Sequence, residues 1–149
     1  EGYEHYEISN FSLPGWHSRH NSSYWTGEPY LGLGPSAHSF NGESRQWNVV
    51  NNIQYIKLLK DDETSPSALS TRETLTPAQH YNEYVMTSLR TQWGCQLKQI
   101  HEDFRSHFLE YIQPCLQNGT VQRRGEVFFL SDQGKLLADR IAVELFWSE

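Results

Sequence analysis

The sequence predicts an α+β fold in two parts: short strands and loops over residues 1–60, then a mostly helical, winged-helix-like domain with a β-hairpin over residues 61–149. Three observations support this prediction. Apolar and polar residues alternate near the start, apolar residues recur at helical spacing from residue 77 onward, and two β-type runs near the end flank a short turn. The acidic, proline-containing stretch 61–70 is the predicted boundary.

The first part begins with a predicted strand over residues 3–8, which Ser9 and Asn10 end. Residues 11–23 are polar and contain a Pro-Gly turn signal, so they are predicted to form a loop. The pattern then predicts a short strand over residues 30–34, followed by a tight turn or further strand over residues 36–40. Another short strand is predicted over residues 46–50. A helix is predicted over residues 52–60, with Ile53, Ile56 and Leu59 at helical spacing.

The second part opens with a helix start signal, Thr76-Pro77-Ala78-Gln79, which combines an N-cap threonine, a proline at the first helical position and a glutamine two residues later. One face of this helix carries the apolar side chains Tyr81, Tyr84, Val85 and Leu89. Gly94 supplies the predicted stop.

Two further helices, a hairpin and a closing helix are predicted after Gly94. The second helix carries Leu97, Ile100 and Phe104, and the third carries Phe108, Ile112 and Leu116, with a break expected at Pro114 and an end at Gly119. Residues 120–123 and 127–130 form the hairpin around residues 124–126, and Ser131 caps a last helix that carries Leu137, Ile141 and Leu145.

Composition excludes several classes of function. The chain has 149 residues, a formal net charge of -6 and two cysteines, Cys95 and Cys115. The negative charge argues against a general nucleic-acid binder, and no apolar run is long enough to span a membrane. Two distant cysteines form neither a disulfide framework nor a metal motif, so we interpret them as small apolar core residues and expect a cytoplasmic protein.

The stretch His20-Asn21-Ser22-Ser23-Tyr24-Trp25 is the first candidate site. An imidazole is a common axial ligand of haem iron, and nearby aromatic rings can stack on a flat macrocycle. Asn21 could orient the imidazole or hold the shape of the loop. The alternative interpretation is a small aromatic core with His20 at its polar edge.

The second candidate site is the run Gly32-Leu33-Gly34-Pro35-Ser36-Ala37-His38. Two glycines one residue apart allow a backbone to approach a ligand closely, and His38 could face the same pocket. The third glycine of a dinucleotide-binding fingerprint is missing, so the segment taken by itself favours a plain turn.

No catalytic residue set can be assembled from the sequence, and a DNA-binding role has little support. Arg123 and Arg124 lie in the presumed wing, but the candidate recognition helix over residues 106–118 contains no Lys or Arg. A winged-helix module that binds a protein or DNA partner therefore remains only an alternative.

Three motifs resemble the HemW proteins, radical-SAM haem chaperones that are often labelled oxygen-independent coproporphyrinogen III oxidase-like. They are Tyr6-Glu7-Ile8-Ser9-Asn10-Phe11, then Arg19-His20-Asn21-x-x-Tyr24-Trp25, and then Tyr30-Leu31-Gly32-Leu33-Gly34-Pro35-x-Ala37-His38-Ser39. The resemblance continues through Leu75-Thr76-Pro77 to Leu130-Ser131-x-x-Gly134. It implies haem binding by His20 as the iron ligand with Asn21, Tyr24 and Trp25, and it places Gly32, Gly34 and His38 on the S-adenosylmethionine side.

The resemblance also implies what this chain lacks. The family holds a [4Fe–4S] cluster with a Cys-x-x-x-Cys-x-x-Cys motif in a partial (β/α) barrel, and two distant cysteines cannot supply it. We therefore expect the chain to be the C-terminal part of a longer protein, containing the last strands and edge of that barrel, and not to perform radical chemistry alone.

Two functions follow from the resemblance. The first is haem binding and delivery to an apoprotein; the alternative is an oxygen-independent coproporphyrinogen III oxidase. The intact haem motif favours the chaperone. Whether the parent protein is an enzyme, and whether it forms a homodimer, stays open.

Overall fold

In the computed structural model, which describes residues 2–61 and 65–148, the chain starts with a short antiparallel hairpin. Its strands are β1 (Glu4–Glu7) and β2 (Asn10–Ser12), and His5 pairs with Phe11. The predicted strand over residues 3–8 is confirmed, one residue shorter at each end.

Helix α1 (Arg19–Trp25) follows the hairpin. Of the loop predicted over residues 11–23, only residues 13–18 lie outside a strand or helix, so the prediction was wrong at both ends. The helix begins at Arg19 because the Ser18 hydroxyl accepts a hydrogen bond from the Asn21 backbone N–H, which satisfies one of the free donors of the first turn.

The chain divides into two units that differ from the predicted parts. One unit combines Glu1–Thr26 with Pro77–Glu149, and the other is Gly27–Thr76. The predicted division after residue 60 coincides with neither boundary. Of the predicted linker over residues 61–70, positions 62–64 lie outside the described residues.

The unit Gly27–Thr76 is built on a three-stranded antiparallel sheet in the order β3-β4-β5. Its elements are β3 (His38–Phe40), β4 (Ser44–Asn48), α2 (Asn52–Lys60), α3 (Pro66–Leu69) and β5 (Ser70–Thr74). The helix predicted over residues 52–60 is confirmed, and the strand predicted over residues 46–50 lies two residues earlier.

One prediction for this unit was wrong, and one strand was not predicted. The predicted strand over residues 30–34 is reduced to a single bridge between Tyr30 and Phe40, because the glycine-rich turn that follows leaves the strand geometry. Strand β5 was not predicted, because its sequence Ser-Thr-Arg-Glu-Thr shows no alternation of apolar and polar residues. The spacing of Ile53 and Ile56 correctly indicated a helix, but both side chains are exposed rather than buried.

The remaining elements of the first unit follow in the predicted order. They are α4 (Pro77–Leu89), β6 (Cys95–Gln96), a 3₁₀ turn (Leu97–Gln99), α5 (Glu102–Tyr111), α6 (Gln113–Gln117), β7 (Val121–Arg124), β8 (Val127–Leu130), α7 (Asp132–Lys135) and α8 (Ala138–Glu144). The hairpin prediction is confirmed, and β6 adds a third strand in the order β6-β8-β7. The sheets of the described residues have two or three strands, and none closes into a barrel.

Helix α4 presents the predicted face to the core. Tyr81, Val85 and Leu89 are buried, and Tyr84 packs against them. The helix ends at Leu89, five residues before the predicted stop. It ends there because the next backbone groups bond to β1: Gln92 N–H donates to the Tyr6 carbonyl at 3.0 Å.

The other helix boundaries differ from the prediction in two places and agree with it in one. Phe104 and Phe108 share α5, whereas the sequence pattern assigned them to two helices. The break at Pro114 is confirmed, since it opens α6. Ser131 caps α7 as predicted, but the last helix is interrupted because Leu137 has a ψ of 16° and starts α8 as a half-exposed N-cap residue.

The core of the first unit joins α4, α5 and α8 to the sheet. The rings of Phe108 and Phe128 meet edge to face with centroids 5.0 Å apart, and both are fully buried. Cys95 and Cys115 are free thiols buried in the same cluster, which confirms their interpretation as small core residues. No helix among the described residues has the length and apolar content needed to cross a membrane.

Candidate functional site

His20 lies in the first turn of α1 with its side chain exposed. Its main-chain carbonyl accepts a hydrogen bond from the Ser23 hydroxyl at 2.8 Å, which tightens this turn. Neither ring nitrogen hydrogen-bonds to any described residue, so the ring presents its lone pair to whatever approaches from outside the helix.

Tyr24 is the aromatic partner that the helix brings to His20. The two rings meet edge to face, with centroids 5.1 Å apart and planes at 85°. Residues four apart lie one above the other on a helix, so this pair follows directly from the spacing once the segment is helical.

Trp25, the residue after Tyr24, has a different neighbour. Its ring instead lies under the guanidinium carbon of Arg90, 5.4 Å from the ring centroid. The fifth residue along a helix is rotated by a further 100°, so Tyr24 and Trp25 point in different directions.

Asn21 anchors the helix rather than orienting the imidazole. Its Nδ2 donates to Oδ1 of Asn10 at 3.3 Å, which ties α1 to the start of β2. Of the two roles predicted for Asn21, holding the shape of the segment is the one the contacts support.

A buried carboxylate, which sequence reasoning missed, organises the surroundings of α1. Glu7 is 1% exposed, and its Oε2 accepts from the Ser9 N–H at 2.9 Å and from Nδ2 of Asn10 at 2.5 Å. Its Oε1 lies 3.3 Å from Nε of Arg90. Both anchors of the helix, Asn10 and Arg90, are therefore held by one carboxylate.

The sequence provided only a partial indication of the residues that fix α1. Glu7 and Asn10 lie in one of the motifs that carry the family resemblance, but their positions suggested no role. Arg90 directly follows α4, more than sixty residues beyond α1, so only the fold connects it to the site.

The chemistry available at His20 is that of a single exposed imidazole next to an aromatic ring. Among the described residues, no group of three or more His, Cys, Asp or Glu side chains is placed to hold a metal ion. The site can therefore supply one ligand to a metal that already carries others, as haem iron does, or one hydrogen bond to a flat ligand.

The Gly32–Gly34 segment of the other unit is shaped by contacts within the chain. A Cβ on Gly32 would lie 2.1 Å from the carbonyl oxygen of His38, so only glycine fits. Gly34 has a φ of 104°, and its carbonyl accepts from Nδ2 of Asn48 at 2.9 Å. The Gly32 N–H donates to the Ser39 hydroxyl at 3.0 Å.

His38 is exposed at the start of β3, opposite Trp47 in the register of the sheet. The two rings are tilted by 31° with centroids 6.3 Å apart. His38 belongs to a different unit from His20.

The two thiols are unsuited to ligand binding. Burial raises the pKa of Cys95 to about 12, and burial also raises the pKa of Cys115. A thiol must be deprotonated to bind iron, and these two stay protonated inside the core.

Comparison with known proteins identifies relatives of the whole chain. A protein from Mycobacterium tuberculosis named heme chaperone HemW is 33% identical over 140 residues, which cover 94% of this chain and 34% of that protein. The heme chaperone HemW of Bacillus subtilis is 30% identical over 146 residues, which cover 94% of this chain and 37% of that protein. The chain thus spans about a third of the length of the curated relatives it matches. No protein-family model matches the chain.

The fold of the chain matches part of one solved structure. The structure of coproporphyrinogen III oxidase (HemN) from Escherichia coli, described as a radical SAM enzyme, matches 97% of this chain and 37% of its own length with a TM-score of 0.69. At 19% sequence identity this match supports a shared fold. Together with the sequence relatives, it shows that the chain belongs to the HemW-type radical-SAM family, of whose curated members it spans about a third of the length.

Proposed function

We propose that this chain is the part of a haem chaperone that holds haem, with His20 as a ligand of the iron. The relatives named heme chaperone HemW support the proposal because they match nearly the entire chain, including the segment with His20. Haem is here the cargo, which the protein would pass to an apoprotein.

The observation that carries the proposal is the state of the His20 ring. It is exposed, its nitrogens bond to no described residue, and the Tyr24 ring lies beside it at 5.1 Å. The His5 ring, by contrast, is engaged within the fold, since its Nε2 forms a hydrogen bond with the Ile8 carbonyl at 2.9 Å.

The other residues of the haem motif receive distinct roles in this proposal. Tyr24, 42% exposed, would contact the macrocycle edge or face next to the iron ligand. Asn21 and Trp25 would act indirectly by fixing α1, through Asn10 and Arg90 respectively.

The residues present do not fit an iron–sulfur cluster. Such a cluster needs several closely spaced thiolates, whereas Cys95 and Cys115 are buried and protonated in the core. In our proposal, the cluster and S-adenosylmethionine of the parent protein are held by residues outside this chain, and Gly32, Gly34 and His38 lie on the side that faces S-adenosylmethionine.

The same proposal gives the chain's elements a place in the parent protein. The hairpin and the unit Gly27–Thr76 would supply terminal strands and the edge of the partial radical-SAM barrel. The helices α4, α5 and α6 with the β6-β8-β7 sheet would form the winged-helix-like domain. Cytoplasmic haem proteins would receive the cargo, which agrees with two cysteines that remain unpaired.

Haem titration followed by absorbance tests the proposal. The 149-residue chain should bind haem with a shifted Soret band, and His20→Ala should weaken binding about tenfold or more, equivalent to at least about 1.4 kcal/mol. His101→Ala is the matched control, because His101 is also an exposed histidine at the start of a helix. Equal binding by the wild type and His20→Ala would overturn the role of His20.

A further inference from the structure

We infer that a cleft at Arg72, in the unit Gly27–Thr76, binds a carboxylate of the ligand, such as a porphyrin propionate. The inference deepens the proposed function and depends on it, because it names the group through which a tetrapyrrole would be held. It concerns residues of a different unit from His20 and makes no use of iron ligation.

Two neighbouring cavities meet at Arg72. Their volumes are about 500 Å³ and about 480 Å³, and they share the lining residues Leu31, Gln46 and Arg72. Both cavities lie along one face of the β3-β4-β5 sheet. They are large enough together for the edge of a drug-sized ligand rather than a single ion.

The face of the sheet beneath the cavities is polar. Ser39, Gln46 and Arg72 are cross-strand partners in one row, so their side chains share a face. Ser44 and Asn48, two positions either side of Gln46, lie on the same face, whereas His38 and Trp47 lie on the opposite one. A sheet face that packed against a protein core would carry apolar residues instead.

Only the Nε atom of the Arg72 guanidinium is hydrogen-bonded within the described part of the chain. Its Nε donates to the hydroxyl of Ser44 at 2.8 Å, and Ser44 is 5% exposed and donates in turn to Oδ1 of Asn41 at 3.1 Å. No described residue accepts a hydrogen bond from the two terminal nitrogens. The two terminal nitrogens of the planar guanidinium therefore remain available on the side away from Ser44. Together they have the geometry that binds both oxygens of a carboxylate.

The charge of the cleft favours an anion with a small charge. Arg72 is the one charged side chain among the described residues that line either cavity, and no Asp or Glu among them neutralises it. A polyphosphate would call for several cations or a row of backbone N–H groups. A single carboxylate is matched by a single arginine.

Apolar side chains at the cleft can contact the rest of the ligand. Leu31, which is 76% exposed, lines both cavities, and the second cavity is also lined by Leu33, Tyr55 and Leu69. The side-chain amide of Gln46 makes no hydrogen bond to a described residue and remains available to a second oxygen of the ligand. A carboxylate on a flat apolar body satisfies all of these groups.

The test uses two porphyrins that lack iron, so that His20 cannot act as a metal ligand. Free-base mesoporphyrin IX carries two propionates, and its dimethyl ester has the same ring without the charges. In fluorescence titrations the 149-residue chain should bind the diacid about tenfold more tightly than the ester. Arg72→Gln should abolish this preference, whereas Arg72→Lys should retain part of it because the charge remains but the fork is lost. Arg123→Gln, on the β7-β8 hairpin of the other unit, should behave like the wild type.

The outcomes separate this inference from the proposed function. If Arg72→Gln binds the diacid as tightly as the wild type, or if the wild type does not prefer the diacid to the ester, the inference is wrong. If His20→Ala leaves haem binding unchanged while Arg72→Gln loses the diacid preference, the iron-ligand proposal fails and the carboxylate site stands. Circular dichroism of each variant shows whether the sheet is intact.

Discussion

The Nε atom of Arg90 lies 3.3 Å from Oε1 of Glu7, and this carboxylate is almost completely buried. The backbone reinforces the pair, since the Ile8 N–H donates to the Arg90 carbonyl at 3.1 Å. The hairpin at the start of the chain is thereby joined to the end of α4, more than eighty residues later. The same arginine supports the ring of Trp25 in α1.

Arg90→Met should therefore destabilise the first unit strongly. Removing one partner of a buried ion pair leaves an uncompensated charge, which typically lowers the free energy of unfolding by about 3–5 kcal/mol. Urea denaturation followed by tryptophan fluorescence measures the effect. Arg140→Met is the control, because Arg140 pairs with Glu144 on the surface of α8 and its loss should change stability little. Similar losses for the two variants would contradict a structural role for the buried pair.

Ser18→Ala should loosen α1 without unfolding the rest of the unit. The substitution removes the N-cap hydrogen bond to the Asn21 N–H, 3.2 Å long, and such caps stabilise a helix by about 1 kcal/mol. Hydrogen exchange at the Asn21 amide should accelerate roughly fivefold, as expected for that energy in local opening.

Ser23→Ala provides the comparison within the same helix. Ser23 donates to the His20 carbonyl and caps no N–H group, so its removal should leave exchange at Asn21 nearly unchanged. If Ser18→Ala also left exchange unchanged, the cap would not be what starts the helix.

Helix α1 shows why part of the site could not be predicted. Its sequence Arg-His-Asn-Ser-Ser-Tyr-Trp contains residues of low helix propensity and buries no side chain completely. The helix is fixed by Asn10 and Arg90, which lie outside its own segment of the sequence. No local pattern could therefore predict this helix. The His20–Tyr24 pair then depended on a helix that the sequence did not predict.

Helix α4 and the β7-β8 hairpin, by contrast, were both predicted from local sequence patterns. Tyr81, Val85 and Leu89 recur at helical spacing and are buried, and a start signal precedes them, so local and tertiary preferences agree. Strand β6 escaped prediction because its two residues, Cys95 and Gln96, are too few to show a period and are strand only by pairing with β8.

Gly32→Ala should destabilise the unit Gly27–Thr76 by about 3 kcal/mol, since its Cβ would lie within 2.1 Å of the His38 carbonyl oxygen and the backbone would have to move. Gly42→Ala is the control for backbone conformation alone. Gly42 has a φ of 96° but no atom near the new Cβ, so its loss should be closer to 1 kcal/mol. Chemical denaturation of both variants, followed by far-ultraviolet circular dichroism, gives the two values. Equal losses would mean that the close approach to His38 does not determine the glycine at position 32.

Stability should fall at alkaline pH because of Cys95. Its ordinary pKa of 9.0 rises to about 12 on burial, so the unfolded chain ionises first and binds fewer protons than the folded chain between those values. The stabilisation is complete below pH 9 and is lost as the pH rises toward 12, at up to about 1.4 kcal/mol per pH unit for one thiol. Burial also raises the pKa of Tyr81 and Tyr84, which acts in the same direction above pH 10.

Urea denaturation at pH 8, 9.5 and 10.5 measures this loss. The free energy of unfolding should decline across the series, and Cys95→Ala should make the decline shallower because one ionising group of the unfolded chain has been removed. Cys95→Ala would also lower stability at pH 8, since it shortens a fully buried side chain, so the informative quantity is the slope with pH and not the absolute value. A slope identical to that of the wild type would show that Cys95 ionises equally easily in the folded and unfolded chains. Equal ionisation in the two states would be incompatible with burial of the Cys95 thiol in the core.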